Sequence, residues 1–396
     1  MILSENMSRM VAGSSTIRKL FEEGLQMAEE VGAENVYDFS LGNPASEVPE
    51  ELNDKIIEIL REKPSTYVHG YMKNAGFDEV RQKVAEHLNR ESGMDYSADD
   101  IIMTVGAAGG MNCVFRSLLN PGDEVIAFAP YFGEYRNYAA NFGGELVVVP
   151  PKTDDFQLNL EELAPRITPR TRCVVINNPN NPSGVIYSEE TIRRLGQILG
   201  EAEKKIGHPI YVVADEPYRE LVYDGSRVPY IPAIIPNSIF IYSFSKTLSL
   251  PGERIGYMAV SKSLEGYEEM IGALVVANRC LGYVNAPSLF QLVVGDCLEM
   301  KADIAFYDRN RRLLYDKLVE LGFSVVKPDG AFYLLVKSPM PDEEEFVSAG
   351  KKQHIIMVST KSFGCPGYVR IAYCVPYDRI ERSLPAFERL AQETLK

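Results

Sequence analysis

The stretch SIFIYSFSKTLSLPGERIG, residues 238–256, begins as a short apolar run and breaks into serines, a lysine, glycine and arginine. The same grammar recurs three times. IIMTV (101–105) runs into GAAGG, CVVIN (173–177) into NPNNPSG, and IYVVA (210–214) into DEPY. EVIAFA, ELVVV and IGYMAV are further short apolar runs between helical stretches. Strands apolar on both faces and separated by helices predict an α/β fold with a mainly parallel sheet covered by helices on both faces. In open sheets of this kind ligands bind beyond the carboxyl ends of the strands. Four strands that end in polar or glycine-rich punctuation therefore predict one crevice.

On the N-terminal side, an amphipathic pattern starts near Thr16, with Ile17, Leu20, Phe21 and Leu25 at helical spacing. Residues 49–60 and 77–88 read the same way; in the second, Val80, Val84 and Leu88 stack at i, i+4 and i+8. Beyond about residue 287 come two long helical patterns, the runs FSVVK, FYLLVK, IIMVS and YVRIAYC, and a final helix over about 377–395. This tail reads as a smaller α+β domain. The expected division is a large domain over 45–287 and a small one formed by 1–44 and 288–396.

Composition narrows the function. The chain has 396 residues, 45% hydrophobic and 24% charged, which is ordinary for a folded globular protein. Its 41 Lys+Arg against 55 Asp+Glu give a net charge of −14, which argues against a sequence-independent grip on nucleic acid or anionic lipid. No apolar run approaches the ~18 residues of a membrane helix. The start, MILSENMSRM, lacks the character of a secretory signal, so the cytoplasm is expected. Six scattered cysteines and four distant histidines offer no zinc-ligand spacing, and no metal is expected.

The strand ends carry the chemistry. Lys246, just past a buried strand, is placed for partial desolvation, which lowers an amine pKa and makes it nucleophilic. Arg254, eight residues on, and the hydroxyls of Ser243 and Ser245 suit a phosphate. Asp215 ends a buried strand, where a carboxylate needs a cation, and a protonated pyridine nitrogen is one such partner. The alternative is an Asp that caps the turn at Pro217. Tyr218 offers a hydrogen bond to the same pocket, and Asn181 sits in a turn stiffened by two prolines. Gly106, Ala107 and Ala108 open a helix whose N–H groups and dipole favour an anion. They match neither G-x-G-x-x-G nor the nucleoside-triphosphate loop, so those readings lose support.

Together these features resemble the fold-type I, pyridoxal-phosphate-dependent class I/II aminotransferases related to aspartate aminotransferase. The family's S-x-S-K with Arg eight residues later appears as Ser243, Ser245, Lys246 and Arg254. Its N-P-x-N-P-S/T-G loop appears at 178–184, and its D-x-x-Y pair as Asp215 and Tyr218. The resemblance implies pyridoxal 5'-phosphate as cofactor, with Lys246 forming the internal aldimine and shuttling the proton. Asp215 would hold the pyridine nitrogen protonated, and Asn181 and Tyr218 would bond the phenolic oxygen. The amides of Ala107 and Ala108, beside Gly106, would cradle the phosphate with Ser243, Ser245 and Arg254. Phe132 matches an aromatic that stacks on the ring, and Tyr71 a tyrosine that reaches the neighbouring subunit's phosphate, which implies a homodimer with a shared active site. Arg370 matches the arginine that binds the substrate α-carboxylate, and Gly42 a glycine near the substrate.

The chain departs from relatives that select dicarboxylates. Where one subgroup places a lysine this sequence has Ala108, and where another places an arginine it has Cys280, with Arg279 one residue away. The resemblance thus implies ping-pong transamination from an aspartate-like or aromatic L-amino acid to a 2-oxo acid, usually 2-oxoglutarate. Two alternatives share the fold: a β-lyase or decarboxylase that keeps the cofactor, and a ligand-sensing regulator, which would need a DNA-binding domain ahead of LGNP.

Overall fold

A computed structural model describes residues 2–13 and 16–395. A two-residue strand, β1 (Tyr37–Asp38), precedes seven strands that form the main sheet: β2 (Ile101–Thr104), β3 (Glu124–Phe128), β4 (Glu145–Val149), β5 (Thr171–Asn177), β6 (Tyr211–Asp215), β7 (Ser238–Ser243) and β8 (Gly256–Val260). Their order is β2-β8-β7-β6-β5-β3-β4. β4, β3, β5, β6 and β7 run parallel, while β8 is antiparallel to both of its neighbours. Since β8 runs against the rest, its first residue lies at the edge where the other strands end. Register aligns that edge: Thr104 pairs with Gly256, Gly256 with Ser243, Asp215 with Ile241, and Asn177 with Asp215. Every residue of β2, β3, β7 and β8 is buried, as a sheet covered on both faces requires; β5 and β6 each carry one half-buried residue, and the edge strand β4 is the most exposed.

The tail builds a second core. β9 (Val325–Val326), β10 (Tyr333–Lys337), β12 (Val358–Ser359) and β13 (Tyr368–Ala372) form a four-stranded antiparallel sheet, in the order β12-β13-β10-β9. β11 (Ile355–Ile356) instead pairs in parallel with β1. The apolar run IIMVS thus divides at Met357 between two sheets. Helices Ile304–Glu320 and Tyr377–Thr394 pack with these strands, and Leu20, Val36 and Phe39 join the same core. The helix Thr16–Val31 is present, with Leu20 buried and Leu25 exposed; the side chains of Ile17 and Phe21 lie outside those described. Residues 77–88 match the helix Asp78–Ser92, whose Val80, Val84 and Leu88 are buried. Among the described residues no helix is long and apolar enough to cross a membrane.

Candidate active site

The strand ends converge on a cavity of about 330 Å3. β7 hands over directly to a one-turn helix, Phe244–Thr247, because Ser243 closes the strand and caps the turn, its Oγ accepting from the N–H of Ser245 at 3.2 Å. Lys246 on that turn enters the cavity and donates from Nζ to the carbonyl of Gly42 at 2.7 Å. Burial lowers its pKa to about 8, and the Arg254 and Arg370 guanidiniums lower it too. Arg254 follows with φ 53, in the left-handed region that non-glycine residues enter at a cost. Its Nη2 reaches the carbonyl of Val105 at 3.4 Å. Gly106, itself at φ 73, permits the approach, since a Cβ there would lie 2.8 Å from that Nη2.

Asp215 ends β6 almost entirely buried. Tyr135 donates a short hydrogen bond to its Oδ2, while Oδ1 is buried without a hydrogen-bond partner among the described residues. Burial pushes its pKa up to about 6, against the lowering effect of the Tyr135 hydrogen bond. Asn177 donates from Nδ2 to the Asp215 carbonyl at 2.8 Å and accepts from the Asn181 N–H at 2.7 Å, which ties the turn 178–184 to the end of β6. From the second core, Arg370 on β13 donates to Asn181 Oδ1 at 3.1 Å and to the Ser40 carbonyl at 2.5 Å, and its Nε is buried and unpartnered. Tyr218 and Tyr333 share a hydrogen bond of 3.0 Å.

Gly42, Ala107, Ala108, Phe132, Asn181, Asp215, Tyr218, Ser243, Ser245, Lys246, Arg254 and Arg370 all line this cavity, with Gly106 just behind its wall. Two further residues singled out in the sequence lie away from it. Tyr71 is 93% exposed, at a separate hollow with Tyr283, Val284 and Ser288, and Arg279 is exposed on the helix Tyr267–Cys280. Conversely, Tyr135 and Tyr333 line the cavity without having been singled out. Tyr135 falls three residues after Phe132, a spacing that places two rings together; their centroids are 5.6 Å apart, edge to face. Tyr333 is the one hydroxyl in the run YLLV, a weaker signal.

The family model for aminotransferase class I and II matches residues 33–387. The chain belongs to this family. An amino transferase from Eubacterium rectale is 45% identical over the full length of both chains, with a TM-score of 0.97. The aspartate aminotransferase of Thermus thermophilus, solved with maleate, is 26% identical and has a TM-score of 0.87 over 98% of this chain and all of that one. By sequence, the chain is 29% identical to a probable aspartate/prephenate aminotransferase of Aquifex aeolicus, over 91% of this chain and 92% of the relative. It is also 29% identical to aromatic-amino-acid aminotransferase 2 of Thermococcus litoralis, over 99% of both. The protein is an aminotransferase of fold type I, of the aspartate or aromatic kind, and pyridoxal 5'-phosphate is its cofactor. The aminotransferase's cavity fits that group: a buried Asp215 oxygen without a partner suits a protonated ring nitrogen, and a partly desolvated Lys246 suits an aldehyde.

Asp215 also sets a pH dependence. A cation held against its free oxygen needs the carboxylate ionised, so with the cofactor's ring nitrogen proposed there, cofactor affinity is expected to fall as pH drops through about 6. Tyr135→Phe removes a hydrogen bond that favours the ionised form, which raises the Asp215 midpoint and moves the loss of affinity to higher pH. Infrared titration of the apoenzyme's buried carboxyls, with the Asp215 band assigned by its loss in Asp215→Asn and cofactor affinity measured in parallel, checks this. A midpoint unchanged by the substitution contradicts it.

Proposed function

We propose that this enzyme moves the amino group of an L-amino acid, aspartate-like or aromatic, to 2-oxoglutarate in a ping-pong cycle, with Lys246 as the amine that carries the cofactor. The carrying observation is the pair of frustrated groups in one cavity: the unpartnered Asp215 oxygen and the Lys246 amine, whose pKa burial lowers to about 8. Pyridoxal phosphate supplies an electron sink for the charge left when the substrate α-proton departs. Asp215 holds the ring nitrogen protonated. Asn181, whose carbonyl oxygen is engaged by Arg370, keeps its amide N–H groups for the phenolic oxygen, beside the hydroxyl of Tyr218. The amides of Ala107 and Ala108, the hydroxyls of Ser243 and Ser245, and Arg254 hold the phosphate, and Phe132 packs beside the ring. Arg370 takes the substrate α-carboxylate, with the Gly42 loop over it, and its buried, unpartnered Nε supports that role. Lys246 Nζ moves the proton.

The site is read as shared between two subunits of a cytoplasmic homodimer. Tyr71, exposed on its own chain, serves the partner's phosphate. The hollow beside it supports this: Val284 there has φ 63, a costly conformation for a β-branched residue and one that accompanies functional contacts. Six cysteines free of disulfides accord with a reducing compartment.

Lys246→Ala removes both anchor and proton shuttle and lowers turnover by several orders of magnitude. Tyr71→Phe loosens the cofactor by about 1–2 kcal/mol, as for a hydrogen bond to a charged acceptor. Mixed dimers of the two variants hold one doubly lesioned site and one intact site, so activity at limiting cofactor recovers on mixing. No recovery after demonstrated subunit exchange refutes sharing.

The donor's side chain is tested at Arg279. The guanidiniums lining the cavity of one chain are Arg254 and Arg370, so a distal carboxylate relies on Arg279 from the second subunit. Arg279→Ala lowers kcat/KM for aspartate and glutamate about a hundredfold and spares alanine and phenylalanine. Equal, small losses for all four contradict the acidic reading and favour broad or aromatic specificity.

A further inference from the structure

Tyr333 is bound into the site from three sides, and none of the roles above uses it. Its hydroxyl shares the 3.0 Å hydrogen bond with Tyr218. Its ring lies under the Arg370 guanidinium, 4.7 Å from the centroid. Its hydroxyl also packs so closely on Gly42 that a Cβ there would fall 2.0 Å from the oxygen. Strand register explains the second contact: Leu335 of β10 pairs with Arg370 of β13 and Tyr333 with Ala372, so Tyr333 and Arg370 are diagonal neighbours on one face. The ring is fully buried and meets Tyr218 edge to face at 5.8 Å.

A phenol has one proton to give. If Tyr218 donates its proton to the cofactor's phenolic oxygen, the 3.0 Å contact is filled by the proton of Tyr333. A guanidinium over the Tyr333 ring favours electron density there and makes its O–H the better donor. We propose that Tyr333 is a positioning residue that links the substrate anchor to the cofactor face. It donates to Tyr218, supports Arg370 on its ring, and fixes the Gly42 backbone whose carbonyl holds Lys246. This rests on the reading of Tyr218 and Arg370 given above.

Tyr333→Phe keeps the ring and removes the proton. Tyr218 then loses the donor that polarises it and becomes a poorer donor itself, so the phenolic oxygen's negative charge is less stabilised. The pH midpoint of the bound cofactor's absorbance therefore rises by about half to one unit, the size of one net hydrogen bond. KM for amino acids changes less than twofold, because the Arg370 support is intact. Tyr333→Leu removes the ring as well and raises KM at least tenfold. Gly42→Ala, which displaces the Tyr333 hydroxyl by another route, gives the same upward shift and serves where a Tyr333 variant does not fold. Tyr218→Phe is the reference. A midpoint that moves in Tyr218→Phe but stays fixed in both Tyr333→Phe and Gly42→Ala overturns the proposal alone. A midpoint that Tyr218→Phe leaves unmoved overturns the underlying assignment of Tyr218.

Discussion

The site depends on keeping an amine out of water beside two guanidinium groups. Lys246 has a hydrogen bond from its Nζ to a carbonyl, that of Gly42, and among the described residues no carboxylate pairs with it. Desolvation and the like charges of Arg254 and Arg370 both press it toward the neutral form, the nucleophilic one. Everything near it can be read as the means of holding that pressure. The Ser243 cap starts a helical turn immediately after β7, the connection to the antiparallel β8 keeps Arg254 at the same edge, and the Gly42 loop is clamped by Tyr333.

The complementary frustration sits on Asp215. Burial opposes its charge, one oxygen is satisfied by Tyr135, and the other has no hydrogen-bond partner among the described residues. An unpartnered buried oxygen costs stability in the empty protein and gains it when a cation arrives. Asp215 ends β6 and Lys246 lies on the turn that follows β7, strands adjacent in the sheet, so the same backbone register that builds the core spaces the amine and the carboxylate. The second core contributes through Arg370 and Tyr333, so side chains carried by the two sheets meet at Asn181 and Tyr218.

Much of this was legible in the residues. Strand ends that break into GAAGG, NPNNPSG, DEPY and FSK announce a crevice because a buried parallel strand has nowhere to place polar side chains except beyond its end. The direction of β8 was not legible, since IGYMAV is equally apolar in either orientation. Nor was the division of IIMVS at Met357, because period and apolarity are the same for one strand or two. Tyr135 and Tyr333 escaped notice for a related reason: an aromatic in an apolar context reads as core, and only tertiary packing shows which hydroxyl meets a carboxylate or another tyrosine. Tyr71 matches a family tyrosine and Arg279 lies one residue from a position the family uses, yet a single chain leaves both in solvent.

The central claim is that Lys246 carries the cofactor. Borohydride treatment of the yellow holoenzyme, followed by denaturation and peptide mass mapping, tests it most directly, because hydride converts a lysine–aldehyde linkage into a stable secondary amine. The account predicts a single phosphopyridoxyl group on Lys246 and on no other lysine. Cofactor released intact after reduction, or fixed on another lysine, would contradict it.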